Sequence, residues 1–171
     1  MGEAKVGDEF ITHELDEAIA VQRTIVEAEG QLAESHPFAE AKRVLASSLK
    51  EDRKYLAELE KLGREHGASG KVEEVAGGLQ QLMQETARKA TEAESEAYEA
   101  HAVLLNLKRK QQDSAQAMIR IARSRKDTEM RDAAREFEKG TKESAKELSD
   151  KLAAFAVVIA GKGQTAAGAM R

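Results

Sequence analysis

Residues 11–62 read ITHELDEAIAVQRTIVEAEGQLAESHPFAEAKRVLASSLKEDRKYLAELEKL, with apolar residues at spacings of three and four. This period is typical of helices with one buried face, and no segment alternates as a strand does. The pattern is interrupted at Ser35-His36-Pro37, where Ser35 is predicted to cap a second helix. Two helices with so short a connection are expected to form an antiparallel hairpin. The stripes are Ile11, Leu15, Ala18, Gln22, Ile25, Glu29 and Leu32, then Phe38, Ala41, Leu45, Ser48, Asp52, Tyr55, Leu59 and Leu62.

A second hairpin follows a glycine-rich connection. Residues 63–78 hold five glycines, which predicts a long crossover over 64–78 with at most a short helix. Helical stripes then cover about 79–124 and 128–160, with Asp127 or Thr128 as the cap between them. An extended three-helix rod, whose third helix would run for about 45 residues, is an alternative arrangement.

Together with helices over about 8–34 and 37–63, these segments predict one all-α domain over 1–161. Its architecture would be a four-helix bundle of two antiparallel hairpins joined by the crossover. Residues 162–171 are predicted to form a flexible tail, because they are small and lack an apolar stripe.

Composition narrows the possible function classes. The 171 residues include no cysteine, which excludes disulfide scaffolds, thiol nucleophiles and cysteine-ligated metals. Aromatic residues make up 4%, too few for a base-stacking platform, and the net charge of −4 argues against a nucleic-acid partner. The longest apolar run, 152–160, is far shorter than the roughly 20 residues of a spanning helix, and no signal peptide is recognisable. We therefore expect a cytoplasmic protein without integral membrane contact.

Polar residues lie on the stripes predicted to be buried. Burying such groups costs free energy unless they are paired. Either the bundle uses them in its interior, or the helical phase is shifted by one position and they lie at its edge. His101 could be a ligand, an acid–base group or a core histidine bonded to a carboxylate. The polar stripe residues are Gln22, Glu29, Asp52, Glu94, His101, Lys108, Thr141 and Ser144.

The layout resembles the ferritin-like di-iron carboxylate family of four-helix bundles. The segment Glu51-Asp52-Arg53-Lys54-Tyr55-Leu56 is similar to that family's Glu-x-x-His ligand helix, and Glu143-Ser144-Ala145-Lys146 is similar to its second such helix. The resemblance covers roughly residues 8–160. It implies one further glutamate from each of the other two helices, and the candidates are Glu14 or Glu17 and Glu94, Glu96 or Glu99.

Lysine stands where the family has its ligand histidines. Lys54 and Lys146 follow their glutamates by three residues, and no histidine in the chain follows a glutamate at that spacing. An ammonium group has no lone pair for a metal at neutral pH. Both lysines are therefore expected to neutralise carboxylates inside a degenerate di-iron site. This favours a non-catalytic binding or structural module without a cofactor over an enzyme.

Two other functions stay open. An atypical carboxylate site could bind iron or manganese with fewer histidines, as a metal carrier or oxidase. Its residues would be Glu17, Glu51, Glu94, Glu96, His101 and Glu143. An amphipathic helical protein that coats a lipid or polymer surface is the other alternative.

Broad apolar faces on the last two helices predict self-association. The face containing Leu104, Leu107 and Met118 is wider than one helix seam requires, and so is the run over 155–159. A homodimer is the simplest partner for such surfaces, and another protein is also possible. Partial cover by the crossover is the competing explanation.

Overall fold

The computed structural model describes the backbone of residues 2–71 and 74–168 and the side chains of residues 5–71 and 76–162. It consists of α1 (Gly2–Ser35), α2 (Ala39–Glu65), α3 (Glu74–Lys89), α4 (Glu94–Arg125) and α5 (Thr128–Gly168). These described residues contain no β-strand, which confirms the prediction of an all-α chain. In the same part of the chain, no helix is both long and apolar enough to cross a bilayer.

The connection between α1 and α2 is three residues long, and the two helices pack along each other. The predicted cap is wrong, because Ser35 lies in the last turn of α1 and its hydroxyl donates to the carbonyl oxygen of Gln31 (2.8 Å). Phe38 precedes α2 without a side-chain cap. Its backbone N–H donates instead to Nδ1 of His36 (3.1 Å), so the turn orients the buried His36 ring.

The helix predicted over 79–124 is two helices, which also rules out the rod with a third helix of about 45 residues. α3 ends at Lys89, and α4 begins at Glu94 after a turn whose last residue, Ala93, is extended (φ −155°, ψ 157°). Neither glycine nor proline lies in residues 88–95. The break instead lets α3 fold back on α1 and α4, which buries Met83, Ala87 and Ala90. Burial of that face outweighs the helix propensity of the alanine-rich turn.

The predicted crossover over 64–78 is shorter than expected, because α3 already begins at Glu74. Its first part is held by Asp16 of α1, whose Oδ1 accepts hydrogen bonds from the backbone N–H groups of Ser69, Gly70 and Lys71 (2.7, 2.7 and 3.2 Å). Gly70 has φ +75°, and a Cβ there would overlap Ile19. Glycine is therefore required where the loop meets α1.

The turn between α4 and α5 confirms one of the two predicted caps. Asp127 Oδ1 accepts a hydrogen bond from the backbone N–H of Met130 (2.9 Å), as an N-cap residue does. Lys126 ends α4 in the left-handed conformation (φ 59°). α5 continues to Gly168, beyond the predicted end near residue 160 and into the predicted tail. The remaining tail residues, 169–171, lie outside the described part of the chain.

The helices pack on one another in pairs. α1 contacts α2 and α4, α5 contacts α2 and α4, and α3 lies against α1 and α4. Buried side chains form two apolar clusters, one around Leu32, Leu104 and Phe155 and the other around Leu15, Met118 and Phe137. Lys108, Glu29 and Asp52 are buried as well.

Two helical glycines should respond oppositely to replacement by alanine. A Cβ on Gly140 of α5 would overlap the hydroxyl end of Tyr55 of α2, whereas a Cβ on Gly30 of α1 would meet nothing within 4 Å. Gly140→Ala is expected to lower the free energy of unfolding by about 1–3 kcal/mol through overpacking. Gly30→Ala should raise it by about 0.5–1 kcal/mol, because alanine favours the helix. Urea denaturation of both variants checks this, and equal stabilisation would contradict close packing of Tyr55 on α5.

Candidate functional site

The polar residues predicted on the helix seams are largely inside the protein. Six of them are at most 2% exposed, namely Gln22, Glu29, Asp52, His101, Lys108 and Thr141. Ser144 is half-buried, and Glu94 is half-buried and forms an ion pair with Lys162. Of the two alternatives that the sequence left open, the first, in which the interior holds these groups, is the one observed, except for Glu94. A one-position phase shift, which would have placed them at the edge, does not occur.

Lys108 is at the middle of this polar interior and is fully buried. Its Nζ lies 2.8 Å from Oε1 of Glu29 and 2.5 Å from Oδ2 of Asp52. It also donates to the hydroxyl oxygens of Ser48 (2.9 Å) and Ser144 (3.1 Å). The ammonium is thus surrounded by two carboxyl groups and two hydroxyl oxygens, which compensate the loss of its hydration.

Two glutamines extend the network. Gln22 donates through Nε2 to Oδ1 of Asp52 (2.8 Å), and Gln111 donates through Nε2 to Oε1 of Gln22 (3.0 Å) and to the carbonyl oxygen of Ala18 (2.8 Å). All four long helices therefore contribute a side chain. We refer to Gln22, Glu29, Ser48, Asp52, Lys108, Gln111 and Ser144 as the Lys108 centre.

The Lys108 centre contains two carboxyl groups and one ammonium. Burial raises the pKa of Glu29 to about 8, because desolvation and the Asp52 charge outweigh the attraction of Lys108. Burial alone would lower the pKa of Lys108, but Glu29 and Asp52 together raise it above its usual value. At neutral pH a protonated Glu29 leaves the charges of Asp52 and Lys108 balanced. Neither carboxyl oxygen of Glu29 makes a hydrogen bond of normal geometry with any described residue.

His101 belongs to a different buried pair. Its Nδ1 lies 3.3 Å from Nε2 of His36, and both rings lie close to one another, with His36 also against Phe155. Because His36 Nδ1 accepts the N–H of Phe38, its Nε2 carries the proton and donates to His101. Burial lowers the pKa of each ring to about 4, so both are neutral at pH 7. His101 is a core histidine, but it is bonded to a histidine and not to a carboxylate.

The six residues of the predicted metal site are not brought together. Glu17 pairs with Lys110 (3.1 Å), and Glu51 is exposed and pairs with Lys54 (2.8 Å). Glu143 is exposed, while Glu96 is half-buried. Within the described side chains, the group of three potential ligands with atoms within 4.8 Å of one another is His13, Glu14 and Glu17, all on α1. That group includes Glu17 and also Glu14, the alternative to Glu17 in the family comparison, and it lies at the surface of a single helix.

The lysines expected inside the site are outside it. Lys54 is 61% exposed in its ion pair with Glu51, and Lys146 is exposed on α5. The interior positions are their neighbours in the motif, Asp52 and Ser144. Lys108 of α4 supplies the buried ammonium instead. The sequence did place Lys108 on a buried stripe, but nothing in the Glu-x-x-His comparison pointed to it.

Sequence reasoning missed His36 as part of the polar interior, whereas Gln111 lies on the predicted stripe of its helix. His36 lies in the connection and outside both stripes. Its only local signal is the following proline, which keeps the second helix from starting at the histidine. No family model matches the chain, and no similar protein is found among curated proteins.

Proposed function

We propose that the chain is a non-catalytic binding or structural module with a ferritin-like four-helix core. The core would consist of α1, α2, α4 and α5, and α3 would be an insertion in the crossover between the two hairpins. The mutual contacts of the four long helices support this, because each packs on two of the others. The polar centre shared by the four helices supports it too, since such bundles build their sites from inward side chains.

The observation that carries the proposal is the position of the Lys108 ammonium. It lies between the carboxyl groups of Glu29 and Asp52, where a divalent cation would have to lie in order to be bridged by them. The remaining inward groups are two glutamines and two serines, and the donor set contains no histidine. These residues do not fit the di-iron centre that the family resemblance implies. A fixed ammonium supplies the positive charge instead.

Metal titration tests this proposal. The purified chain, without a chelating tag, should bind neither Fe²⁺ nor Mn²⁺ stoichiometrically at micromolar excess, because Lys108 already compensates the buried carboxylate. Metal content by mass spectrometry and isothermal titration are the measurements. About two ions per chain, lost in Glu51→Ala, would overturn the proposal and make an atypical carboxylate oxidase the better model. Loss of binding in Glu17→Ala alone would place a single ion on α1.

We also propose that the module self-associates through the outer face of α5. Val157 and Val158 are 71% and 40% exposed, although the neighbouring Phe155 is buried. Most of the other predicted apolar surface is internal, since Leu104, Leu105, Leu107, Met118 and Ile119 are buried. Sedimentation equilibrium of the wild type and of Val157→Lys should show a dimer that the substitution weakens. A monomer at all concentrations would rule this out.

A further inference from the structure

A cavity of about 500 Å³ lies between α2 and α5, away from the buried histidine pair. Its inner surface is apolar and is formed by Leu59, Leu62, Met118, Ala134 and Phe137. The volume is within the range of small-molecule sites, which are concave and mostly apolar with a few polar groups. The cavity is separate from the Lys108 centre, because none of the seven residues of that centre lines it.

Carboxylates dominate the polar part of the cavity lining. Glu58, Glu129, Asp132 and Glu136 line it, together with one ammonium, that of Lys54. Lys54 is already paired with Glu51 (2.8 Å), outside the cavity lining. The cavity therefore presents an excess of negative charge to any ligand that enters it.

Two of these carboxylates form no ion pair within the described part of the chain. Glu129 pairs with Lys61 (2.7 Å), and Asp132 pairs with Arg131 (2.8 Å). Neither Glu58 nor Glu136 forms an ion pair within the described residues, and both are exposed, so they lie on the solvent side of the apolar lining. Lys61 attracts Glu58 without forming an ion pair with it, so both carboxylates stay accessible to the cationic group of a ligand.

The aromatic groups of the cavity also favour a positively charged ligand. The rings of Tyr55 and Phe137 both line it, with centroids 5.8 Å apart. Aromatic faces attract ammonium groups. The negative surroundings are also evident in Tyr55, whose pKa is raised by burial and then by Glu51, Asp52, Glu136 and Glu143.

We propose that this cavity binds a soluble amphipathic organic cation, that is, an amine or quaternary ammonium with an apolar body. The apolar body would occupy the space lined by Leu59, Leu62 and Met118. The cationic group would lie at the solvent side, near Glu58 and Glu136. This proposal rests on the binding function proposed above and names the chemistry of its ligand.

Three probes with the same tail test the charge preference. Octyltrimethylammonium, octanol and octyl sulfate are titrated into the full chain below their micelle concentrations, and binding is followed by calorimetry and NMR. Octyltrimethylammonium should bind about tenfold more tightly than octyl sulfate, a difference of about 1.4 kcal/mol. Equal affinity for all three, or binding of none, would overturn the proposal.

Variants locate the bound cation. Glu58→Gln combined with Glu136→Gln should weaken the cation about three- to tenfold and leave octanol unchanged, since the two charges act only on the ammonium. Glu147→Gln, an exposed position on α5 outside the cavity, is the matched control and should change neither. Ala133→Phe should block all three probes by filling the cavity, and circular dichroism verifies its fold. Cation binding that survives both cavity variants would place the ligand elsewhere.

The two proposals fail separately. Metal titration reports on the Lys108 centre, whereas the octyl probes report on the cavity between α2 and α5. If the chain binds neither the octyl cation nor a metal, it would be a structural module without a ligand. Bound metal together with cation binding would overturn the metal-free centre but retain the cavity.

Discussion

Lys108→Met is expected to lower the free energy of unfolding by about 3–5 kcal/mol, the cost of breaking a buried ion pair from one side. Methionine fills a similar volume but supplies no charge and no donor. Asp52 would then lose its ammonium partner, and the hydroxyl groups of Ser48 and Ser144 would lose theirs. Urea denaturation at pH 7, followed by circular dichroism, measures the loss.

Lys54→Met is the matched control. Lys54 also forms a close ion pair, 2.8 Å to Glu51, but its side chain is 61% exposed. Exposed pairs contribute about 0–1 kcal/mol, so this variant should unfold at nearly the wild-type urea concentration. A similar loss in both variants would mean that Lys54 has the interior role that the family resemblance assigned to it.

The stripes and the resemblance made conflicting predictions about α2 and α5, and the structure agrees with the stripes. The apolar spacing placed Asp52 and Ser144 inside, whereas the Glu-x-x-His comparison placed Glu51 and Glu143 there. Adjacent residues on a helix differ by about 100° in direction, so both sets could not face inward. Hydrophobic periodicity sums evidence over a whole helix, and a four-residue motif does not.

The turn between α3 and α4 and the burial of His36 depend on tertiary packing, and hydrophobic periodicity gave no signal for either. The turn between α3 and α4 interrupts a run with good helix formers, because α3 gains more by covering α1 and α4 than by continuing straight. His36 joins the core only because the hairpin turn brings its ring against His101 and Phe155. Both depend on contacts between residues far apart in sequence, which local periodicity does not contain.

Two groups of buried residues have titratable side chains whose pKa values are shifted in opposite directions, and together they should make stability pass through a maximum as the pH rises. The His36 and His101 pKa values are about 4 in the folded chain and 6.5 as model values. The unfolded chain therefore binds more protons on these rings over that interval, so stability rises with pH up to about 6.5. Glu29 acts in the opposite direction, with a folded pKa of about 8 against a model value of 4.5.

Above pH 6.5 the histidines are neutral in both states, and the described group whose shifted pKa acts in the range up to pH 8 is Glu29. Its stabilising contribution is complete below pH 4.5 and is lost as the pH rises through 8. Between pH 6.5 and 8 the free energy of unfolding should fall by about 2 kcal/mol, at about 1.4 kcal/mol per pH unit. Glu29→Gln should remove this decline, since an amide has no charge to bury. The test is to measure urea midpoints from pH 5 to 9 for the wild type, for Glu29→Gln and for the exposed control Glu51→Gln. An alkaline decline of equal slope in all three would mean that Glu29 is ionised in the folded chain at neutral pH, with Lys108 balancing only one of two buried charges.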